Sequence, residues 1–293
     1  MSAGQSALAF RRTQARDLLL TALAPAIWGS SYIVTTQLLP QVPAMTVALL
    51  RALPAGLLLL AFARRLPQGV WWLRVFILGA LNFSVFWSML FVSAYRLPGG
   101  AAATVGAVQP LVVVFLAAWV LGSALRPASV LGALAGLAGV ALLVLTPGVS
   151  LDATGIAAGL AAAVSMACGT VLTRKWRAPV PLLTFTAWQL TAGGLLLLPV
   201  ALWAGPAFPA PTPGHLIGLV WLGLVGAALT YVLWFRGIAR LEPDMVAPLG
   251  FLSPLTAILL GWAFLDQTLT TVQMAGVALV LGGIWLGQWG TAR

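Results

Sequence analysis

Long apolar runs, each closed by a short polar or proline- and glycine-bearing connector, recur ten times along the chain. They fall at 18–37, 44–63, 71–94, 99–122 and 128–147, then at 154–173, 181–203, 215–237, 244–265 and 269–289. A helix of about 20 apolar residues crosses the hydrocarbon core of a bilayer, and every run reaches that length. Breakers stand between them: Pro40 with Pro43, Pro67, Pro98 with Gly99, Pro127, Pro147 with Gly148, Pro179 with Pro181, and the Pro-rich stretch 206–214. Only helices and closed barrels satisfy their own backbone in lipid. The pattern therefore predicts an all-α integral membrane protein of ten transmembrane helices.

The second half repeats the first. Adding 144 takes Leu78-Gly79 to Leu222-Gly223, Arg96-Leu97 to Arg240-Leu241, Gly106 to Gly250, Pro110-Leu111 to Pro254-Leu255, Gly132 to Gly276 and Gly139 to Gly283. Slightly smaller shifts relate the earlier runs, Gly29 to Gly169 and the Gly-Leu-Leu-Leu-Leu segment at Gly56 to that at Gly194. The expected division is a tail over 1–17 and five-helix repeats over 18–150 and 151–293. Five spans is an odd number, so the second repeat must run through the membrane in the opposite sense. Inverted repeats of this kind let a central site open first to one side and then to the other.

Composition and charge agree with the pattern and fix its orientation. The chain is 61% hydrophobic and 7% charged, against about 25% charged in soluble domains. Its net charge of +10 sits at helix ends, which argues for membrane topology and against nucleic acid as a partner. With the N-terminus inside, 13 of the 15 basic residues fall on inner segments, as the retention of Lys and Arg in cytoplasmic loops requires. Both termini are expected in the cytoplasm. One cysteine, one histidine and five acids exclude a disulfide, a multi-cysteine metal centre and the clustered groups an enzyme needs. No cofactor is expected.

The ten-span inverted repeat, Trp28-Gly29-Ser30-Ser31 in the first run, the Arg-Leu-Pro-Gly-Gly-Ala turn from Arg96, the Gln109-Pro110 and Ser253-Pro254 pairs and the Gly-rich fifth and tenth runs resemble the drug/metabolite transporter superfamily. The likeness is to its branch with two tandem EamA-type units and covers nearly the whole chain. It implies a bacterial inner-membrane exporter of small metabolites, with exporters of aromatic amino acids the most similar; the second repeat departs from it by having Ala167-Cys168-Gly169-Thr170 in place of Trp-Gly-Ser.

Residue chemistry suggests where a solute would pass. Gly106 with Pro110 and Gly250 with Pro254 form matched Gly-x-x-x-Pro units, expected as hinges because proline removes a helical hydrogen bond and glycine removes the Cβ that resists bending. Polar and aromatic positions at helical spacing predict the wall of a cavity: Trp28, Ser31 and Tyr32; Asn82, Phe86 and Met89; Gln109; Met166 and Thr170; Tyr231 and Trp234. Arg51 is the single cation well inside a run and is expected near the pathway. No carboxylate falls near mid-membrane, which disfavours proton-coupled export of cations and predicts facilitative transport of an amphipathic solute by a monomer in the lipid bilayer. The competing readings are a broad-specificity drug exporter and a nucleotide-sugar or lipid-intermediate carrier.

Overall fold

The computed structural model describes residues 3–97, 104–144, 152–204, 209–266 and 268–289. The predicted turn residues 98–103 and the Pro147-Gly148 connector lie outside them. Among the described residues, ten helices are long and apolar enough to cross a membrane: α1 (Arg12–Leu38), α2 (Ala44–Ala63), α3 (Trp71–Ala94), α4 (Thr104–Leu121), α5 (Pro127–Val144), α6 (Ala153–Lys175), α7 (Leu182–Trp203), α8 (Pro213–Arg240), α9 (Pro243–Phe264) and α10 (Thr271–Gln288). The predicted all-α, ten-span architecture is the observed one. The first helix begins earlier than its apolar run, so Arg16 and Asp17 lie within it.

Helix neighbours obey a pseudo-twofold exchange. The helices α2 and α7 pack on each other, as do α5 and α10; α3 packs on α6 while its mate α8 packs on α1; α4 packs on α6 while α9 packs on α1. Replacing each helix by its repeat mate leaves this set of pairs unchanged.

Glycines show that the exchange inverts direction. A Cβ on Gly132 would meet the Gly283 carbonyl oxygen at 2.6 Å, and one on Gly139 would meet that of Gly276 at 2.8 Å. The numbers rise on α5 as they fall on α10, so these helices run antiparallel with backbones in contact, which only small residues permit. The seam is self-matching, because Gly132 and Gly276 are mates, as are Gly139 and Gly283. The α2–α7 seam is built alike, with Gly56 against Thr191 and Gly194 against Leu53.

Two departures from regular helix also come in mated pairs. A π-helical turn occupies Ala80–Ser84 in α3 and a longer one Trp221–Leu229 in α8; the 144-residue shift carries the first into the second. In α9 a 3-10 stretch, Ala247–Phe251, precedes the regular helix. In α4 the bonds from Ala107 N to Thr104 O and from Val108 N to Val105 O have the same tight spacing.

These breaks revise the expected action of the prolines. Regular helix restarts at Gln109 and Leu252, so Pro110 and Pro254 sit in a first turn, where a missing N–H is tolerated. The irregular backbone lies just before each proline, not at it.

One end of the bundle is tied by charge. Asp17 of α1 pairs with Arg236 and Arg240 of α8, Arg174 of α6 with Glu242, and Arg126 beside α5 with Asp244, which also accepts from Ser129 Oγ at 3.0 Å. Arg174 further donates to the Ile238 and Leu241 carbonyls, capping the end of α8. At the opposite end Arg96 reaches Asp152 at 3.8 Å with both side chains well exposed, an arrangement that contributes little.

Candidate functional site

The site grows from the wide turn in α8. A π-helical turn shifts the backbone bonding register and often marks function. Here the Gly226 carbonyl accepts Arg51 Nη2 at 2.7 Å, Trp28 Nε1 at 3.1 Å and Thr230 Oγ1 at 2.8 Å. The indole N–H of Trp28 is shared with Thr230 Oγ1 at 2.9 Å. One carbonyl thus joins α1, α2 and α8.

Aromatic rings surround that carbonyl. Trp28 lies 5.0 Å from Tyr231 and 5.3 Å from Trp234; Phe83 lies 4.6 Å from Tyr231 and 5.5 Å from Trp87, edge to face in both cases. Such spacings are those of favourable ring pairs. The Arg51 guanidinium stands over Trp87, 5.2 Å from its centroid, a cation–π contact. Phe83, Trp87, Tyr231 and Trp234 are buried, and Met166 joins them with Phe86 packed alongside. Trp28 is partly exposed at the edge of the cluster.

Polar groups around this cluster have unused capacity. Ser31 Oγ, Arg51 Nε and Trp234 Nε1 are buried and have no hydrogen-bond partner. Most buried polar groups are paired, and an unpaired one in apolar surroundings carries a desolvation cost of about 1–3 kcal/mol. Three such groups beside one ring cluster are suited to a solute with an apolar body and a polar end.

The predicted wall residues divide. Trp28, Met166, Tyr231, Trp234 and Arg51 come together, with Phe86 against them. Ser31 sits one turn along α1 from Trp28. Tyr32 is 56% exposed, and Met89 and Gln109 are partly exposed on α3 and α4. Thr170 is buried nearer the ion-paired end, where Thr170, Val171, Arg174, Ile238, Pro243 and Val246 line a narrow cleft.

Asn82 is not on an open wall. It is fully enclosed, donating to Gln189 Oε1 on α7 at 2.8 Å and to Thr173 Oγ1 on α6 at 3.2 Å, and a Cβ on Gly169 would strike its Oδ1. The amide is interhelical glue, the use to which membrane helices commonly put small polar groups. Asn82→Ala is expected to lower stability by about 1–2 kcal/mol with solute preference unchanged. Thermal unfolding in detergent, together with a competition profile, checks both halves of that statement; an altered preference would return Asn82 to the site.

Gly106 and Gly250 behave as a pair of another kind. Both are partly exposed, and a Cβ on either would meet nothing within 4 Å. Unlike the seam glycines they are not needed for close helix approach. They border open space beside the irregular backbone of α4 and α9.

Phe83, Trp87, Thr230 and the Gly226 carbonyl were not singled out by spacing along ideal helices. A signal existed for one of them, since the 144-residue shift takes Trp87 to Tyr231, aromatic in both repeats.

A family model described as the EamA-like transporter family matches residues 16–145 and again 153–287. The chain belongs to the EamA-like transporter family. As a member it is an integral membrane transporter with one EamA unit in each half. It is 43% identical over 267 residues to the protein PecM of Dickeya dadantii, covering 90% of each chain. It is 26% identical over 292 residues to a probable amino-acid metabolite efflux pump of Salmonella typhimurium, covering 94% of this chain and 95% of that one. The inner membrane transporter YedA of Escherichia coli is 27% identical over 266 residues, covering 89% and 86%. A protein of known crystal structure matches this EamA chain with a TM-score of 0.82 at 24% identity, over 94% of this chain and 97% of the other; that likeness concerns the fold.

Proposed function

We propose that this EamA protein exports small metabolites of the aromatic or hydrophobic amino acid type from the bacterial cytoplasm by alternating access. The observation that carries the reading is the ring cluster of Trp28, Phe83, Trp87, Tyr231 and Trp234 around the Gly226 carbonyl, set where the two inverted repeats meet. Its rings suit an apolar side chain, and its unpaired polar groups suit a polar end. The similarity to an amino-acid metabolite efflux pump favours the same cargo class. A phosphate-bearing cargo would call for several interior cations, and Arg51 is the one within a span's interior.

In this reading the protein lies in the inner membrane with both termini in the cytoplasm, acts as a monomer and works without a cofactor. The ion pairs around Asp17, Arg126, Arg174 and Asp244 close the cytoplasmic end, and the irregular stretches of α4 and α9 flex as the outer and inner ends exchange. With the buried carboxylates Asp17 and Asp244 held in ion pairs at one end and none near mid-membrane to relay a proton, flux follows the solute gradient.

Counterflow in proteoliposomes tests the cargo. Labelled phenylalanine is expected to exchange, with tryptophan and methionine competing and hydrophobic cations and purines not doing so. Exchange of the cations in preference to the amino acids would replace this reading with that of a drug exporter.

A further inference from the structure

Arg51 is the eighth residue of α2, about 10 Å below the end of that helix at 1.5 Å per residue. Its guanidinium turns inward. It donates to Gly226 of α8 and covers the ring of Trp87 of α3, so it lies between three helices instead of extending along α2 toward the headgroups. A guanidinium has five N–H donors, and among the described residues Arg51 uses one hydrogen bond, with Nε buried and unpartnered.

Among the described residues, which include all five Asp and Glu, none pairs with it. Asp17, Asp152, Glu242 and Asp244 are held by Arg236 with Arg240, Arg96, Arg174 and Arg126 respectively, and Asp266 lies beyond the end of α9. The positive charge is therefore uncompensated within the bundle.

The inverted repeat shows what the scaffold itself needs at this place. A shift of 138, the one that relates Gly56 to Gly194, takes Arg51 to Gln189; the shift of 144 takes Asn82 to Gly226. Arg51 bonded to the π turn of α8 at residue 226 is thus the counterpart of Gln189 bonded to the π turn of α3 at residue 82. A neutral amide ties α7 to α3. The same tie between α2 and α8 is made by a full charge, and the charge is surplus to the structural task. Burying a cation in lipid-embedded protein is costly and marks a ligand pathway, and a planar fork of donors matches a carboxylate.

We propose that Arg51 recognises a carboxylate on the transported solute, so that the cargo class is organic acids and zwitterions with an apolar body, to the exclusion of amines and amides that lack the acid. The solute's rings or alkyl groups lie against Trp28 and Trp234, while its carboxylate meets the free edge of the guanidinium. This rests on the placement of the site at the ring cluster, but not on the cargo being aromatic.

Ligand-dependent thermal stabilisation of the full-length protein in nanodiscs separates the two ideas. The probes are phenylalanine against phenylalaninamide, leucine against leucinamide, and 3-phenylpropionate against phenethylamine. Each acid is expected to bind about tenfold or more tightly than its partner without the carboxylate. Arg51→Gln, which installs the residue found at the mated position, is expected to bring each pair within about twofold, and Arg51→Lys to keep part of the gap. Should Arg51→Gln fail to fold, the wild-type comparison with Arg51→Lys remains decisive. Acids and amides binding equally to the wild type would overturn the carboxylate role while leaving the aromatic reading intact. Leucine binding without phenylalanine would restrict the proposed cargo to aliphatic amino acids and leave the carboxylate role standing. No binding by any of the acids would overturn both.

Discussion

Gly276→Leu is expected to leave little or no folded protein, and Gly139→Leu to do the same. A Cβ at either position would lie 2.8 Å from the carbonyl oxygen of the other glycine, with Val280 N also at 2.8 Å from a Cβ on Gly139 and Leu143 Cγ at 3.0 Å from one on Gly276. The obstacle is backbone on the facing helix, which cannot rotate aside as a side chain can. Overpacking of side chains typically costs about 1–3 kcal/mol, and here α5 and α10 must separate along a seam that contains two such contacts. The loss should exceed about 3 kcal/mol. Gly282 supplies the control, because it lies on the same helix and a Cβ there meets nothing within 4 Å. Gly282→Leu is expected to retain wild-type behaviour. Monodispersity in detergent and the unfolding temperature read the outcome, and a Gly276→Leu protein as stable as Gly282→Leu would refute the seam.

Alanine at both Pro110 and Pro254 is expected to cut transport by roughly ten- to a hundredfold while leaving the protein folded. Each proline withholds the N–H that would bond the carbonyl four residues back, at Gly106 or Gly250. Restoring both N–H groups lets regular helix extend through the tight turns at 104–108 and 247–251. Each new bond favours the straightened form by about 0.5–1.5 kcal/mol, so two of them bias one conformation by about 1–3 kcal/mol. Every 1.36 kcal/mol, if it must be undone in the slow step, is about a factor of ten in rate. Initial counterflow rates normalised to folded protein decide the matter; flux within twofold of wild type would remove α4 and α9 from the cycle.

Span number and repeat relation were legible in the sequence because they rest on long-range regularities, the length of apolar runs and the constant offset of glycines and prolines. Trp28, Tyr231 and Trp234 could be found because helical spacing sets them on faces with polar or aromatic neighbours, and Arg51 because it is the single cation well inside a run. The π turns of α3 and α8 could not be read, since a shifted backbone bond leaves no mark on composition. They widen the turn and rotate the following residues, so Phe83 and Trp87 reach the rings while Asn82 turns to α6 and α7. An ideal 3.6-residue period had placed Asn82 with Phe86 and Met89 on the wall. Hydropathy alone puts Asp17 in the tail over 1–17, before the first apolar run. Its burial against Arg236 and Arg240 depends on α8, more than two hundred residues away.

The self-matching seams of α5 with α10 and α2 with α7 carry a corollary for directionality. Seams that map onto themselves when turned upside down favour neither compartment at the helix contacts they make. Any preference for facing one side must then come from places where partners disagree, among them a guanidinium against an amide at 51 and 189, a bare carbonyl against an amide at 226 and 82, an indole against a thiol at 28 and 168, and the ion pairs gathered at one end. Polarity in this protein comes from side chains laid over ambidextrous seams.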